Sequence, residues 1–446
     1  VQARQQPAPE IPAHGVVGIS EAQLSPEFWL AQLTEPDAVV MDPRSIEAQN
    51  ARLLREDKSM HDLHKMPASI PGADTRRDIE ALSRPPDKPL YDVDGKRVDA
   101  KVLDSILNDL ALDSIADLVP ARYGMALRRT ALRAFPSDLR VFSSQGNTDI
   151  DRFQESALFP GTPVVVAHQS RDGHWWWVIS PRYKAWVRAD DIALGSRKAV
   201  LGYGSGPAHR VVTAAKAWTV FTREQPQLSE LQLEMGLRIP LAAVPADAVV
   251  NGQLSYASWA LDLPIRGPDG GLAFAPALLQ KNQGSAADYL PLTQANLVRQ
   301  SFKFLGERYG WGHSYNARDC SGFVSEVYRS MGVELPRNTR DQSISPALNH
   351  VLFDKEEGPQ RRRAAVDGLQ VGDLIYIPGH VMMMIGRIDG APYVIHDTNG
   401  GSYLGPGGKL RSMRLNGVSV TPLLPLQFNE TETYVDRITS IVRIRP

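Results

Sequence analysis

The sequence holds one cysteine among 446 residues, Cys320, within Asp319-Cys320-Ser321-Gly322-Phe323. A lone thiol forms no internal disulfide and falls short of a cysteine-rich zinc or iron–sulfur site. It can serve as a nucleophile. At the start of a helix, beside an imidazolium, a thiol is drawn toward thiolate from its free value of about 8.5. A thiol hydrolase then needs a histidine base and a polar group that orients it. Two histidines follow in strand-like contexts, Gly379-His380-Val381 and Val394-Ile395-His396-Asp397, joined through a turn at Asp389-Gly390-Ala391-Pro392. His380 fits the base, and His396 stands behind it to hold its tautomer. The same three side chains could bind zinc, although the spacing lacks the CxxC or HExxH pattern of common sites. Met382-Met383-Met384 reads as packing in the strand after His380, Arg361-Arg362-Arg363 as a solvated loop, and the side chain of Asp397 as pointing away from that of His396.

The elements that position these residues are legible from periodicity. Cys320 opens a predicted helix with Phe323, Val324, Val327, Tyr328 and Met331 on one stripe, stopped by Gly332. Thr293 caps an earlier helix carrying Leu297, Val298, Phe302 and Leu305. Short strands follow at Leu374–Ile377, Val381–Ile385 and Tyr393–Ile395, so residues 286–446 read as helices followed by a sheet, an α+β domain. Upstream the period shortens. Thr162–His168 and His174–Ile179 form a predicted hairpin through Arg171-Asp172-Gly173, with Trp175, Trp177 and Ile179 on one face as a small barrel core requires. Phe159–Val164 is echoed by Met235–Leu241, and the Trp-rich strand by Tyr256–Leu261, which predicts two small barrels over 120–203 and 204–285. Residues 1–119 form a tail and a helical wrap: a helix starting at Asp42-Pro43, another over Val98–Leu112, and Pro-rich connections. Asp92-Val93-Asp94-Gly95 is a turn, because the twelfth position of a calcium loop would be Leu103.

Tyr309-Gly310-Trp311-Gly312, Asp319-Cys320-Ser321-Gly322-Phe323, Leu335-Pro336-Arg337-Asn338, Gly372-Asp373-Leu374, Gly379-His380-Val381 and His396 occur in an order that resembles the NlpC-type cell-wall cysteine peptidases. The resemblance covers roughly 290–446. It implies a papain-like α+β fold and a Cys-His-His centre without metal or cofactor, with Cys320 as nucleophile, His380 as base and His396 as orienting member. The whole chain is then a multi-domain α+β protein: a helical N-terminal segment, two SH3-like β-barrels and the papain-like domain. That order, with Tyr123–Arg128 and Pro181–Val187 in the first barrel, resembles the γ-D-glutamyl-L-diamino-acid endopeptidases. These cleave peptidoglycan stem peptides between D-Glu and meso-diaminopimelate (or Lys), and members with this layout typically require a free N-terminal L-Ala. Selectivity for a free amine needs an anion at a closed end of the groove. Asp319 is the candidate, alternatively a helix cap, with Ser321 as second acceptor. Tyr309 would orient substrate near the thiol, and Tyr183 would close the groove from the first barrel.

Composition narrows the remaining classes. Lys+Arg 49 against Asp+Glu 50 gives a net charge of −1, which removes the electrostatic footprint of a nucleic-acid binder. The longest apolar runs, such as Val381–Ile385, are strand-sized, so no membrane span is expected. The polar start Val1–Glu10 reads either as the mature end of an exported protein, periplasmic or envelope-bound after loss of a signal peptide, or as a truncated cytosolic chain. The expectation is an exported monomer acting on stem peptides. A non-catalytic wall-binding protein, and an amidase or acyltransferase of the same fold, are the rival readings.

Overall fold

Four helices each begin where the sequence supplies a cap. Helix α1 (Pro43–Glu56) starts with Asp42 accepting the amides of Arg44 and Ser45 at 2.9 and 3.1 Å, and Pro43 fills the first position. Helix α2 (Ala100–Asp109) is capped by Asp99 and is shorter than its apolar pattern, since Leu110 and Ala111 turn out of the helix. Thr293 caps α3 (Gln294–Phe302) through the Asn296 amide at 3.1 Å, and Leu305 lies past its end in a tight turn. Helix α4 (Cys320–Arg329) is capped by Asp319, and Gly332 leaves it at φ 80°, where a residue with a Cβ would be strained.

The computed structural model describes residues 15–446; the polar Val1–Glu10 start lies outside them. The chain divides into two compact units. One gathers the chain up to Asp57, Leu290–Tyr309 and Ala317–Pro446; the other gathers Lys58–Tyr289 and Gly310–Asn316.

In the second of these, seven antiparallel strands form the first barrel: β1 (Arg122–Ala126), β2 (Thr130–Arg133), β3 (Gln154–Leu158), β4 (Pro163–Gln169), β5 (Trp175–Ile179), β6 (Lys184–Arg188) and β7 (Ile192–Leu194), in the order β7-β1-β4-β5-β6-β2-β3. The β4–β5 connection turns at Gly173, φ 76°. Alternation places Trp175, Trp177 and Ile179 in one apolar cluster with Met125, Val165 and Trp186, while Val178 joins the opposite face with Val164 and Val187. Burying each of these large side chains contributes about 2 kcal/mol. Leu103, Ile106 and Leu107 of α2 pack against the first cluster. Further along, β8 (Ser258–Arg266) and β9 (Leu272–Gln280) form a long hairpin, and His209–Val212 pairs with Arg238–Pro240 and Ser285–Ala286. Val212, Leu233, Ile239, Leu261 and Leu279 share the core of this region.

The other unit is built on a six-stranded antiparallel sheet. Its strands are β10 (Asn349–Leu352), β11 (Leu374–Ile377), β12 (His380–Ile388), β13 (Ala391–Thr398), β14 (Gly417–Pro422) and β15 (Ser440–Arg443), ordered β10-β15-β11-β12-β13-β14. Helix α4 packs on β12 and β13. Met382 and Met384 lie in an apolar cluster with Ile375, Ile377 and Val394, as the packing reading requires. Arg361-Arg362-Arg363 departs from expectation: it lies in a helix, Pro359–Asp367, and Arg362 is buried, donating to the carbonyls of Ile438, Glu357 and Asp354. A buried guanidinium persists because carbonyls take its protons. The N-terminal residues brace this unit. Val39 pairs with Thr293, Asn50 bonds Gly332 and Glu334, and Trp29 packs so closely on Gly386 that a Cβ there would lie 2.5 Å from its ring.

Candidate active site

Two tight turns deliver the histidines. Pro378-Gly379 joins β11 to β12 with Gly379 at φ 77°, so His380 is the first residue of β12, paired with Ile377. Asp389-Gly390 joins β12 to β13 with both residues left-handed, φ 50° and 81°, the conformation a two-residue hairpin needs. The rings then meet across neighbouring strands: His380 Nε2 and His396 Nδ1 are 2.7 Å apart, and His396 Nε2 lies 2.9 Å from Thr421 Oγ1 on β14. Two proton arrangements satisfy this chain, and one of them leaves His380 able to act as a base. In it, His380 Nε2–H donates to His396, His396 Nε2–H donates to Thr421, and His380 Nδ1 is left as an acceptor.

Cys320 is buried at the first turn of α4, and the backbone amide of Val381, in β12, acts to lower its thiol, against the larger effect of burial. The helix end does not win the electrostatic balance. Burial, with the Asp319 carboxylate adding to it, pushes the thiol up to about 12. His380 is pulled down to about 4 by burial, and His396 well below the usual histidine range by burial and by His380. Both shifts run in the direction of the neutral forms, thiol and imidazole.

Asp319 and Ser321 are brought together by a residue to which the sequence reading gave no role. Arg337 donates to both oxygens of Asp319, at 3.1 and 2.8 Å, and to Ser321 Oγ at 2.9 Å. Asp319 also accepts the Gly322 amide at 2.9 Å, so it is helix cap and ion-pair partner at once. Arg337 lies in the quoted Leu335-Pro336-Arg337-Asn338 motif, the one signal that could have found it; Thr421 has no such signal. Tyr309 is buried in the same unit, bridged to Arg318, and burial plus the fields of Cys320, Asp319 and Asp397 push its hydroxyl well up. Tyr183 belongs to the other unit, on the first barrel, where its hydroxyl donates to the Glu155 carboxylate.

Asp397 is fully buried, and neither carboxyl oxygen has a hydrogen-bond partner. Burial, then Asp319 and Glu307, raise it well above the carboxylate range, against a lowering by Arg318, which itself pairs with Glu307 and Glu326. Among the described residues no group of three or more His, Cys, Asp or Glu is placed to hold a metal ion.

A thiol opening a helix that packs on an antiparallel sheet, with paired histidines on neighbouring strands, defines a papain-like α+β fold. Residues 306–407 match the NlpC/P60 family and residues 140–188 an SH3 domain of the SH3b1 type. The chain thus carries an NlpC/P60 domain together with an SH3b1-type domain. It is 30% identical over 182 residues to a gamma-D-glutamyl-L-lysine dipeptidyl-peptidase of Bacillus cereus, a match spanning 38% of this chain and 43% of that protein. It is also 30% identical over 93 residues to dipeptidyl-peptidase 6 of Lysinibacillus sphaericus, spanning 21% and 29%. The chain thus matches less than half the length of either curated relative. An NlpC/P60 endopeptidase structure from Photobacterium damselae subsp. piscicida superposes with TM-score 0.74 at 15% identity, over 93% of this chain and 96% of that one. That likeness is one of fold.

Proposed function

We propose that this chain is an envelope or exported thiol peptidase that cuts peptidoglycan stem peptides between γ-D-Glu and meso-diaminopimelate or Lys, and that it requires a free N-terminal L-Ala. The observation that carries the reading is the 2.7 Å His380–His396 contact, anchored by Thr421, on strands against which the helix opened by the buried Cys320 packs. The relative's name supplies the bond class. In this reading the Cys320 sulfur attacks the γ-carbonyl of D-Glu while His380 Nδ1 takes its proton. The C–N bond breaks, His380 returns the proton to the departing amine, and a thioester remains. Water then gives a proton to His380 and hydroxide to the carbonyl, releasing the γ-carboxylate and restoring the thiol. His396 keeps His380 in the tautomer that accepts at Nδ1.

Asp319, Ser321 and Tyr309 are the proposed substrate contacts near the thiol, with Arg337 fixing the first two. Tyr183 is carried into the proposal as a specificity residue, tested by Tyr183→Phe. The division at 119/120, 203/204 and 285/286 into helical segment, two barrels and peptidase domain, and a monomeric state, belong to the same proposal. No helix among the described residues is long and apolar enough to cross a membrane. The test is mass spectrometry of a defined stem-peptide mixture. L-Ala-γ-D-Glu-diaminopimelate should yield L-Ala-D-Glu and diaminopimelate, while its N-acetylated form should persist. Cleavage at another amide would move the protein to the amidase reading, and no cleavage at all to the wall-binding one.

A further inference from the structure

One buried side-chain amide joins α4, the segment carrying Arg337 and strand β11, and takes no part in the chemistry above. Gln342 lies in the short helix Thr339–Ile344 and is 0% exposed. Its Nε2 lies 2.8 Å from the Pro336 carbonyl, 3.0 Å from Ser325 Oγ and 3.3 Å from the Ser321 carbonyl. Its Oε1 lies 3.0 Å from the Tyr376 hydroxyl. The two carbonyls can only accept, so the amide nitrogen faces them and the oxygen takes the Tyr376 proton. Donors and acceptor are all used, as full burial demands. The short helix is itself held in place, since the Ser343 carbonyl accepts from Ser440 Oγ on β15 at 2.7 Å.

The partners give the amide its meaning. Ser321 and Ser325 lie one turn apart on α4, so Gln342 grips that helix at the end where Cys320 stands. Pro336 precedes Arg337, whose guanidinium holds Asp319 and Ser321. Gln342 therefore bridges, at backbone carbonyls, the same two segments that Arg337 joins by side chains. Tyr376 pairs with Val381 across β11 and β12, Val381 is the residue whose amide acts on the thiol, and the field of Cys320 reaches the Tyr376 hydroxyl. A helix start lacks half the backbone bonds of a helix interior, so its placement depends on what grips it from outside. An apolar side chain of the same length would fill the space and grip nothing.

We propose that Gln342 is a positioning residue for the thiol reaction: through the Ser321 carbonyl and Ser325 it fixes the start of α4, and with it Cys320, against the Arg337 segment and β11. This role rests on the thiol-peptidase reading, so one readout of the experiment needs no substrate. Hydrolysis of L-Ala-γ-D-Glu-diaminopimelate at pH 5.5, alkylation of Cys320 by iodoacetamide at pH 8 and thermal melting are measured on the full-length chain. Gln342→Met keeps the length and loses every hydrogen bond of the amide. It should lower kcat by about tenfold or more and speed alkylation by about fivefold or more, as the loosened helix start uncovers the thiol. Gln342→Glu, buried and protonated at pH 5.5, keeps an acceptor for Tyr376 and one O–H for a carbonyl, and should recover most of the kcat. Where Gln342→Met does not fold, Tyr376→Phe takes its place. It removes only the bond to Oε1 and should move kcat and alkylation in the same directions by about threefold. A wild type that leaves the stem peptide intact would remove the peptidase reading, and the alkylation contrast would then decide for or against the role of Gln342. Wild-type kcat or wild-type alkylation in folded Gln342→Met, Gln342→Glu no more active than Gln342→Met, or unchanged kinetics in Tyr376→Phe would each overturn the proposal. A merely structural amide would shift the melting temperature alone.

Discussion

The guanidinium of Arg337 grips both oxygens of Asp319 and the hydroxyl of Ser321, at 2.8–3.1 Å, next to the only thiol in the chain. The carboxylate next to the thiol in sequence is therefore already matched by a cation. An ammonium at this place would share Asp319 with Arg337, so its binding depends on the geometry of the pair and not on a bare negative charge. The amide of Gly322 fixes the other side of the carboxylate, and with it the start of α4.

Removing one member of that pair should cost stability as well as selectivity. Both side chains are nearly buried, 5% and 10% exposed for Arg337 and Asp319. Asp319→Ala strands a buried guanidinium and removes the helix cap, for a loss of about 3–5 kcal/mol. Thermal denaturation reads the loss. Arg337→Met strands Asp319 instead and should destabilise by a similar amount. In whichever variant remains folded, kcat/KM for the free-amine tripeptide should fall, narrowing the gap to its N-acetylated form.

Cys320→Ala should abolish hydrolysis, on the order of 10⁴-fold or more, with little change in melting temperature. The wild-type thiol also makes a kinetic prediction. Because burial and Asp319 push it up to about 12, its alkylation by iodoacetamide should accelerate close to tenfold per pH unit from 7 to 10, without a plateau. A plateau below pH 8 would mean a thiolate already formed in the resting enzyme, and the order of proton transfer given above would be wrong.

Thr421 should behave as a positioning residue. Thr421→Val keeps the shape but removes the oxygen 2.9 Å from His396 Nε2, leaving a buried ring nitrogen unpaired. His396 then no longer favours the tautomer that accepts from His380. The expected result is a kcat lower by about tenfold or more with KM nearly unchanged, and Thr421→Ser restoring most of it. A purely structural role would lower stability and leave the kinetic constants of the folded fraction alone.

Local chemistry wrote much of this site into the sequence. Asp389-Gly390 can take two left-handed residues in succession, so the β12–β13 hairpin and the facing of His380 and His396 were readable from a dipeptide and two histidines. Asp42-Pro43, Thr293 and Gly332 likewise announce helix ends by their own backbone and side-chain chemistry. What stayed hidden depends on distant partners. Thr421 reaches His396 only because β14 pairs with β13 in the register that sets His396 opposite Ser419. Arg337 reaches Asp319 only once the chain has folded back after α4. The chain up to Asp57 joins the unit built on the six-stranded sheet through contacts such as Val39 with Thr293, which no periodicity announces. The upward push on the thiol is hidden for a related reason: a helix start is visible in sequence, whereas full burial is a property of the assembled site.

The buried acid and the buried base on β12 and β13 give the protein opposite pH responses. His380 is held down to about 4 from an ordinary value near 6.5, so over that interval the unfolded chain binds a proton that the folded one refuses. Stability should fall as pH drops from 6.5 toward 4. Asp397 is held well above its ordinary 3.8, so above that value the folded chain keeps a proton that the unfolded one has lost. Its contribution weakens stability progressively as pH rises through the interval. Asp397→Asn preserves the shape and removes only this second dependence. The melting temperature of the variant should match wild type near pH 3.5 and exceed it increasingly toward pH 8, while the fall below pH 6.5 due to the histidines persists in both. Parallel curves from pH 4 to 8 would show that Asp397 is ionised in the folded protein and has found a partner for its charge.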